Sequence, residues 1–146
     1  MINYVLVAHL LGAAVWTGGH LILAIVILPR VLKSRDISSL ITFESQFEKI
    51  GMPALILQIL TGLWMAHSLL PDLSTWFALT NDISLLISLK LILLFTTFLI
   101  ALHARFRVIP TLRPETLNWF AAHIFSVTAL SVGFVIVGSL FRTGLS

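Results

Sequence analysis

Four long apolar stretches constrain this chain more than any other feature of its sequence. They cover about residues 2–28, 50–70, 83–106 and 116–141, and a helix of about 20 residues crosses the roughly 30 Å hydrocarbon core of a bilayer. With 58% hydrophobic and 10% charged residues among 146, the chain has too little polar surface to enclose these stretches in a soluble core. The sequence therefore predicts an all-α integral membrane four-helix bundle, a single domain over residues 1–146 with the lipid bilayer as its partner.

The distribution of charge between the loops predicts the orientation of the bundle. The first and third loops carry the basic residues Arg30, Lys33, Arg35, Arg105, Arg107 and Arg113. The second loop, residues 71–82, carries two aspartates and no base. Because basic loops stay in the cytoplasm, we expect both termini on the periplasmic side of a bacterial inner membrane. The net charge of +3 then reflects topology, and no nucleic-acid partner is expected.

Ionisable side chains inside the apolar stretches are the candidate functional residues. Lys90 lies eight residues into the third stretch, where a charged ammonium costs roughly 3 kcal/mol or more unless it meets a partner or a ligand. The histidines in or beside the stretches are His9, His20, His67, His103 and His123. The helical rise places His9, His67 and Lys90 toward the outer side. His103 and His123 fall toward the cytoplasmic side, and His20 is nearer the middle.

One face of the first stretch combines polar, aromatic and small residues. His9, Gly12, Trp16, Gly19 and His20 share this face because spacings of 3, 4, 7 and 11 residues return to the same side of a helix. The glycines would let a neighbouring helix or a flat ligand approach the backbone. Packing alone also accounts for this pattern, so Trp16 is a candidate ligand contact and equally a core residue.

The chain contains no cysteine, which excludes thiolate metal ligands and covalent c-type haem attachment. The segments VAHLLGAAVWTGGHLILAIVILPR, FEKIGMPALILQILTGLWMA and SLKLILLFTTFLIALHARFRVIP resemble the copper-resistance protein D (CopD) family of bacterial inner-membrane proteins. That resemblance implies a stand-alone four-helix unit and a link to copper. His9 and Lys90 are also similar to the first-span histidine and third-span lysine of the haem-binding membrane protoporphyrinogen oxidase, which implies haem b.

The first functional hypothesis is a haem b protein that transfers electrons. His9 with His67, and His103 with His123, would supply axial ligands for one or two haems. The redox partners would be a quinone or a periplasmic protein. Lys90 would contact a haem propionate or a substrate carboxylate.

Two alternatives stay open at this point. Copper transport or tolerance would use His9, His67, His103 and His123 as metal ligands, since imidazole binds copper. An enzyme similar to protoporphyrinogen oxidase would use Lys90 as a catalytic residue toward substrate propionates. A histidine near a helix end can also sit at headgroup level or donate to a carbonyl group, a purely structural role that suits His20 and His103. The oligomeric state is open, with a dimer among the alternatives.

Overall fold

The computed structural model describes residues 3–145, which form four long helices joined by short loops. The helices are α1 (Tyr4–Ser34), α2 (Ser38–Leu69), α3 (Asp82–Thr111) and α4 (Pro114–Thr143), and each is long and apolar enough to cross a membrane. No strand occurs among the described residues. The predicted all-α, four-span membrane fold is confirmed. The amphipathic residues that precede the second apolar stretch belong to α2, which is therefore much longer than its membrane-crossing part.

Two helices contain a wide π turn just before a proline. In α1 the turn is Leu23–Ile27 and Pro29 follows it, while in α3 it is Ala104–Val108 and Pro110 follows. Proline has no N–H and its ring crowds the carbonyl four residues back. A π turn accommodates this loss without ending the helix. This explains why α1 continues to Ser34 instead of ending near residue 28.

The helices pack in the order α2–α1–α4–α3 around the bundle, and contacts between α2 and α3 are sparse. One apolar core lies where α1 and α4 meet near the basic loops and includes Leu23, Leu28 and Phe120. Many large apolar side chains point outward, with Ile25 68% and Phe95 64% exposed, as expected for helices surrounded by lipid. The gap between α2 and α3 leaves a cleft along the bundle.

The loop between α2 and α3 is held by side chains that cap its backbone. The Asp72 carboxylate accepts hydrogen bonds from the Ser74 hydroxyl and backbone N–H, and these bonds lower the pKa of Asp72. The buried Trp76 indole donates to the Leu70 carbonyl, and Ser88 of α3 donates to the Trp76 carbonyl. The loop is therefore folded back onto the bundle. Its side of the bundle is called the loop-71 end below, and the opposite side, which carries the arginine-rich loops, the basic end.

Candidate functional site

At the loop-71 end, His9 lies in the interface between α1 and α2. Its Nδ1 atom is 2.8 Å from the Thr61 hydroxyl, which donates its own proton to the Leu57 carbonyl at 2.6 Å. His9 Nδ1 must therefore be the donor, and Nε2 of the neutral ring keeps its lone pair. The Gln58 amide donates to the His9 carbonyl. A Cβ on Gly62 would lie only 3.3 Å from the His9 ring, so that glycine makes room for the imidazole.

Lys90 extends from α3 toward α4 at the same end. Its Nζ atom lies 5.6 Å from the centre of the Phe141 ring, and a Cβ on Gly138 would be 3.3 Å from it. Among residues 3–145 no salt bridge includes Lys90. Lys90 thus contacts α4 through an aromatic face and, among these residues, has no carboxylate partner, whereas His9 contacts α2.

His67 is not brought into this group. It is exposed in the last turn of α2 and makes no hydrogen bond or ring contact with His9 among the described residues. His67 follows Gly62, the α2 residue that faces His9, by five positions, which is a rotation of about 140° around the helix. A haem held between His9 and His67 stays a prediction, and this structure does not juxtapose the two ligands.

At the basic end, His103 of α3 and His123 of α4 are in direct contact. Nδ1 of His103 lies 2.8 Å from Nε2 of His123, and the rings stack at 5.0 Å with an angle of 17°. His123 Nδ1 lies 2.9 Å from the Trp119 carbonyl, an acceptor only. His123 Nδ1 therefore donates, its Nε2 accepts from His103, and His103 Nε2 keeps a free lone pair. This pairing joins two predicted site residues.

His20 of α1 belongs to an aromatic cluster in the middle of the bundle. Its ring packs 4.4 Å from the buried Trp16 ring and 5.4 Å, edge to face, from the Phe47 ring of α2. His20 Nδ1 lies 2.8 Å from the Trp16 carbonyl, so it donates there and Nε2 of the neutral ring keeps its lone pair. The Phe47 ring fills the space where Cβ atoms on Gly19 and Gly51 would lie. The glycines thus create the place for this cluster.

The aromatic cluster forms the floor of a cavity of about 250 Å³ in the cleft between α2 and α3. Apolar side chains supply most of its walls, among them Met52, Leu55, Phe98 and Val127. Its polar members are His20, Glu44, Glu48, Arg105 and His123. Arg105 donates to Glu48 at 2.6 Å across the mouth of the cleft. The cavity is therefore apolar inside, with acids and one base at its rim.

Sequence reasoning missed part of this site. Glu44, Phe47 and Glu48 lie before the predicted second span, and none of them was among the predicted site residues. Their spacing of three and four residues does place them on one face of a helix. A second signal is the W-x-x-x-H pattern, which occurs at Trp16–His20 and again at Trp119–His123. In both copies the histidine donates to the carbonyl of its own tryptophan.

The purely structural role considered for His20 is therefore a specific hydrogen bond, from its Nδ1 to the Trp16 carbonyl in the same helix.

Among residues 3–145 no group of three or more histidine, cysteine or acidic side chains is arranged to hold a metal ion. The closest pair of potential ligands is His103 with His123. A metal ion bound here would therefore have two imidazole ligands rather than a full set of ligands from the protein.

Comparison with known proteins adds the family. The family model described as Copper resistance protein D matches residues 41–141. The chain belongs to the copper resistance protein D family. No curated protein and no solved structure matches it significantly. The matched segment contains Lys90, His67, His103 and His123, whereas His9 and the Trp16–His20 pair precede it.

Membership in the copper resistance protein D family, together with four membrane-crossing helices, makes this a multi-pass membrane protein. The predicted family is confirmed. Similarity to the protoporphyrinogen oxidase and the orientation of the termini stay predictions.

Proposed function

We propose that this protein is a copper-tolerance protein that binds copper within the bundle, with His103 and His123 as ligands. The direct contact of these imidazoles across α3 and α4, at 2.8 Å, is the observation that carries the proposal. Imidazole nitrogens are suitable copper ligands. The family relationship supports copper as the ion handled.

The pair needs little rearrangement to accept an ion. Metal–imidazole distances are about 2 Å, so an ion between His103 Nδ1 and His123 Nε2 requires these atoms to separate to about 4 Å. A side-chain movement of about 1 Å is sufficient, because they are 2.8 Å apart. When the metal binds His103 Nδ1, the proton of this neutral ring moves to Nε2, so binding requires a change of tautomer and no net loss of a proton. The Trp119 carbonyl continues to orient His123 through its Nδ1–H, a contact that metal-bound histidines usually have.

Electrostatics also favour a cation at this end of the bundle. Glu44 and Glu48 lie at the cavity rim, and Arg105 is paired with Glu48. Glu44 makes no ion pair among the described residues and is available to a cation once it is ionised. The loop-71 end instead carries the Lys90 ammonium, which has no carboxylate partner among the described residues. A protonated lysine repels a metal ion there, which is why the proposal does not place copper at His9.

The test is a copper titration of the purified, chelator-treated protein in detergent under reducing conditions. We expect saturable Cu(I) binding that weakens at least about tenfold in His103→Ala and in His123→Ala. The matched control is His67→Ala, which removes an exposed imidazole that makes no hydrogen bond among the described residues and should bind as the wild type does. Equal binding by all variants would refute the assignment.

The absorption spectrum of the same preparation tests the haem hypothesis. A Soret band that disappears in His103→Ala and His123→Ala would overturn the copper proposal in favour of haem b. A spectrum without such a band, together with copper binding that depends on both histidines, would support copper. Growth on copper-containing medium then checks the function in cells, since strains carrying either variant should lose tolerance to the same degree as a deletion strain.

A further inference from the structure

The cavity between α2 and α3 contains a hydrogen-bond donor without an acceptor. Trp16 is 8% exposed and lines the cavity, yet its indole Nε1–H has no hydrogen-bond partner among the described residues. A buried tryptophan normally satisfies this donor. Leaving it unpaired costs about 1–3 kcal/mol. A ligand that brings an oxygen acceptor would remove this cost.

An acceptor lies beside that donor. The His20 ring packs 4.4 Å from the Trp16 ring, and its Nδ1 is engaged by the Trp16 carbonyl. Nε2 of the neutral ring can therefore accept a hydrogen bond, and none is made to it within residues 3–145. Trp16 Nε1 and His20 Nε2 are thus one unsatisfied donor and one free acceptor in adjacent aromatic rings that line the cavity. Protein atoms cover the indole nitrogen, so the indole must rotate slightly for a ligand oxygen to reach it. The Phe47 ring, edge to face with His20, adds a flat apolar surface.

Access to this floor is through the lipid-facing cleft. Contacts between α2 and α3 are sparse, and the exposed Met52, Phe98 and Leu102 line the cavity. A lipid-soluble molecule could therefore reach the floor from the bilayer. The cavity of about 250 Å³ accommodates a single ring rather than a macrocycle, with any chain left in the cleft.

From these features we propose that the cleft binds a quinone-type headgroup, a planar ring with carbonyl or hydroxyl oxygens on an apolar tail. One oxygen accepts from Trp16 Nε1, and in the reduced form a ring hydroxyl donates to His20 Nε2. The ring stacks among Trp16, His20 and Phe47, and the tail lies between α2 and α3. The hydrogen bonds to the headgroup come from Trp16 and His20, whereas copper is assigned to His103 and His123, of which His123 also lines the cavity. Loss of quinone binding in a Trp16 variant, which keeps both copper ligands, therefore tests this proposal separately from copper.

A lipophilic cation is the competing occupant, because Glu44 lies at the rim and aromatic rings attract cations. The unpaired indole donor decides against it, since a cation offers that N–H no acceptor. A quinone predicts that binding depends on Trp16 and not on Glu44, whereas a lipophilic cation predicts that binding depends on Glu44 and not on Trp16.

The experiment measures thermal unfolding of the purified protein in detergent with decylubiquinone. Decylbenzene, which has a ring and a decyl chain but no oxygen, is the control ligand. We expect a saturable rise in Tm with the quinone, about 5 °C or more at a hundredfold excess over Kd, and none with decylbenzene. Trp16→Phe and His20→Phe should weaken quinone binding at least about tenfold, whereas the matched controls Trp64→Phe and His67→Phe should bind normally.

Equal shifts with both ligands, or unchanged quinone binding in Trp16→Phe and His20→Phe, would overturn the proposal. Binding of tetraphenylphosphonium that is lost in Glu44→Gln, without quinone binding, would assign the cleft to cations instead. A second measurement uses the wild-type protein alone, so its result does not depend on whether the variants fold. The infrared carbonyl band of bound decylubiquinone should shift to lower frequency than in empty micelles, because the indole donates to it, and an unshifted band would refute the contact.

Discussion

Two neighbouring glycines of α1 should respond in opposite directions to the same substitution. A Cβ on Gly18 would meet nothing within 4 Å, whereas a Cβ on Gly19 would overlap the Phe47 ring. Replacing a helical glycine by alanine favours the helix by about 0.5–1 kcal/mol. Gly18→Ala should therefore be more stable than the wild type by about that amount.

For Gly19→Ala the same gain is opposed by overpacking, which typically costs about 1–3 kcal/mol. The Phe47 ring has little room to move toward its own helix, because it lies close over the backbone at Gly51, where even a built Cβ would be only 3.0 Å away, and Phe43 stacks against it at 5.6 Å. Its remaining escape is into the cavity. Helix propensity cancels between the two variants, so Gly19→Ala should be less stable than Gly18→Ala by about 1–3 kcal/mol.

The assay is equilibrium unfolding in mixed micelles of increasing sodium dodecyl sulfate content, with all variants in the same detergent. In a Phe47→Ala background the ring is gone, and the difference between the glycine variants should disappear, as a double-mutant cycle requires. A Gly19→Ala protein as stable as Gly18→Ala, with Phe47 present, would show that the α1–α2 interface is not packed in this way.

Two further predictions concern the loop-71 end. Lys90→Met should raise stability in lipid vesicles by about 1–3 kcal/mol, because it removes from membrane depth an ammonium that has no carboxylate partner among the described residues. The control Lys49→Met, at an exposed position, should change the stability little. A destabilised Lys90→Met would mean that the charge is compensated by a bound group. Leu79→Gly should stabilise the loop by about 0.5–1 kcal/mol, because Leu79 is 59% exposed and has a φ of 54°, a conformation that costs a side-chain-bearing residue energy. The control Leu79→Ala keeps that cost and should give no gain in unfolding experiments.

The periodicity and length of the apolar stretches were sufficient to predict the helices, because a bilayer allows few alternatives to a continuous helix. The helix ends were harder to predict. The π turn before Pro29 allows α1 to continue to Ser34. From sequence alone, a proline normally predicts the end of a helix rather than a wider turn within it. The α2 helix begins at Ser38, since its amphipathic part needs no membrane depth to remain helical.

In the candidate site too, some features could be predicted from the sequence and others could not. His103 and His123 were predicted as a pair from their similar depth, and the structure places their nitrogens 2.8 Å apart. His9 and His67 also share a depth, yet His67 is exposed and His9 bonds to Thr61. Depth along a helix follows from residue number, whereas the direction of a side chain depends on which helices are neighbours. For that reason Glu44 and Phe47 entered the site only when α2 was placed beside α1 and opposite α3.

The sequence by itself determined a membrane bundle of four helices, the depth of its polar side chains and the family to which it belongs. These properties depend on local composition and on the fixed rise of a helix. Only the tertiary structure decided the order α2–α1–α4–α3, the open cleft between α2 and α3, and the unpaired Trp16 indole on its floor. Such features arise from contacts between residues far apart in the chain, where a glycine opposite a phenylalanine determines how closely two helices approach.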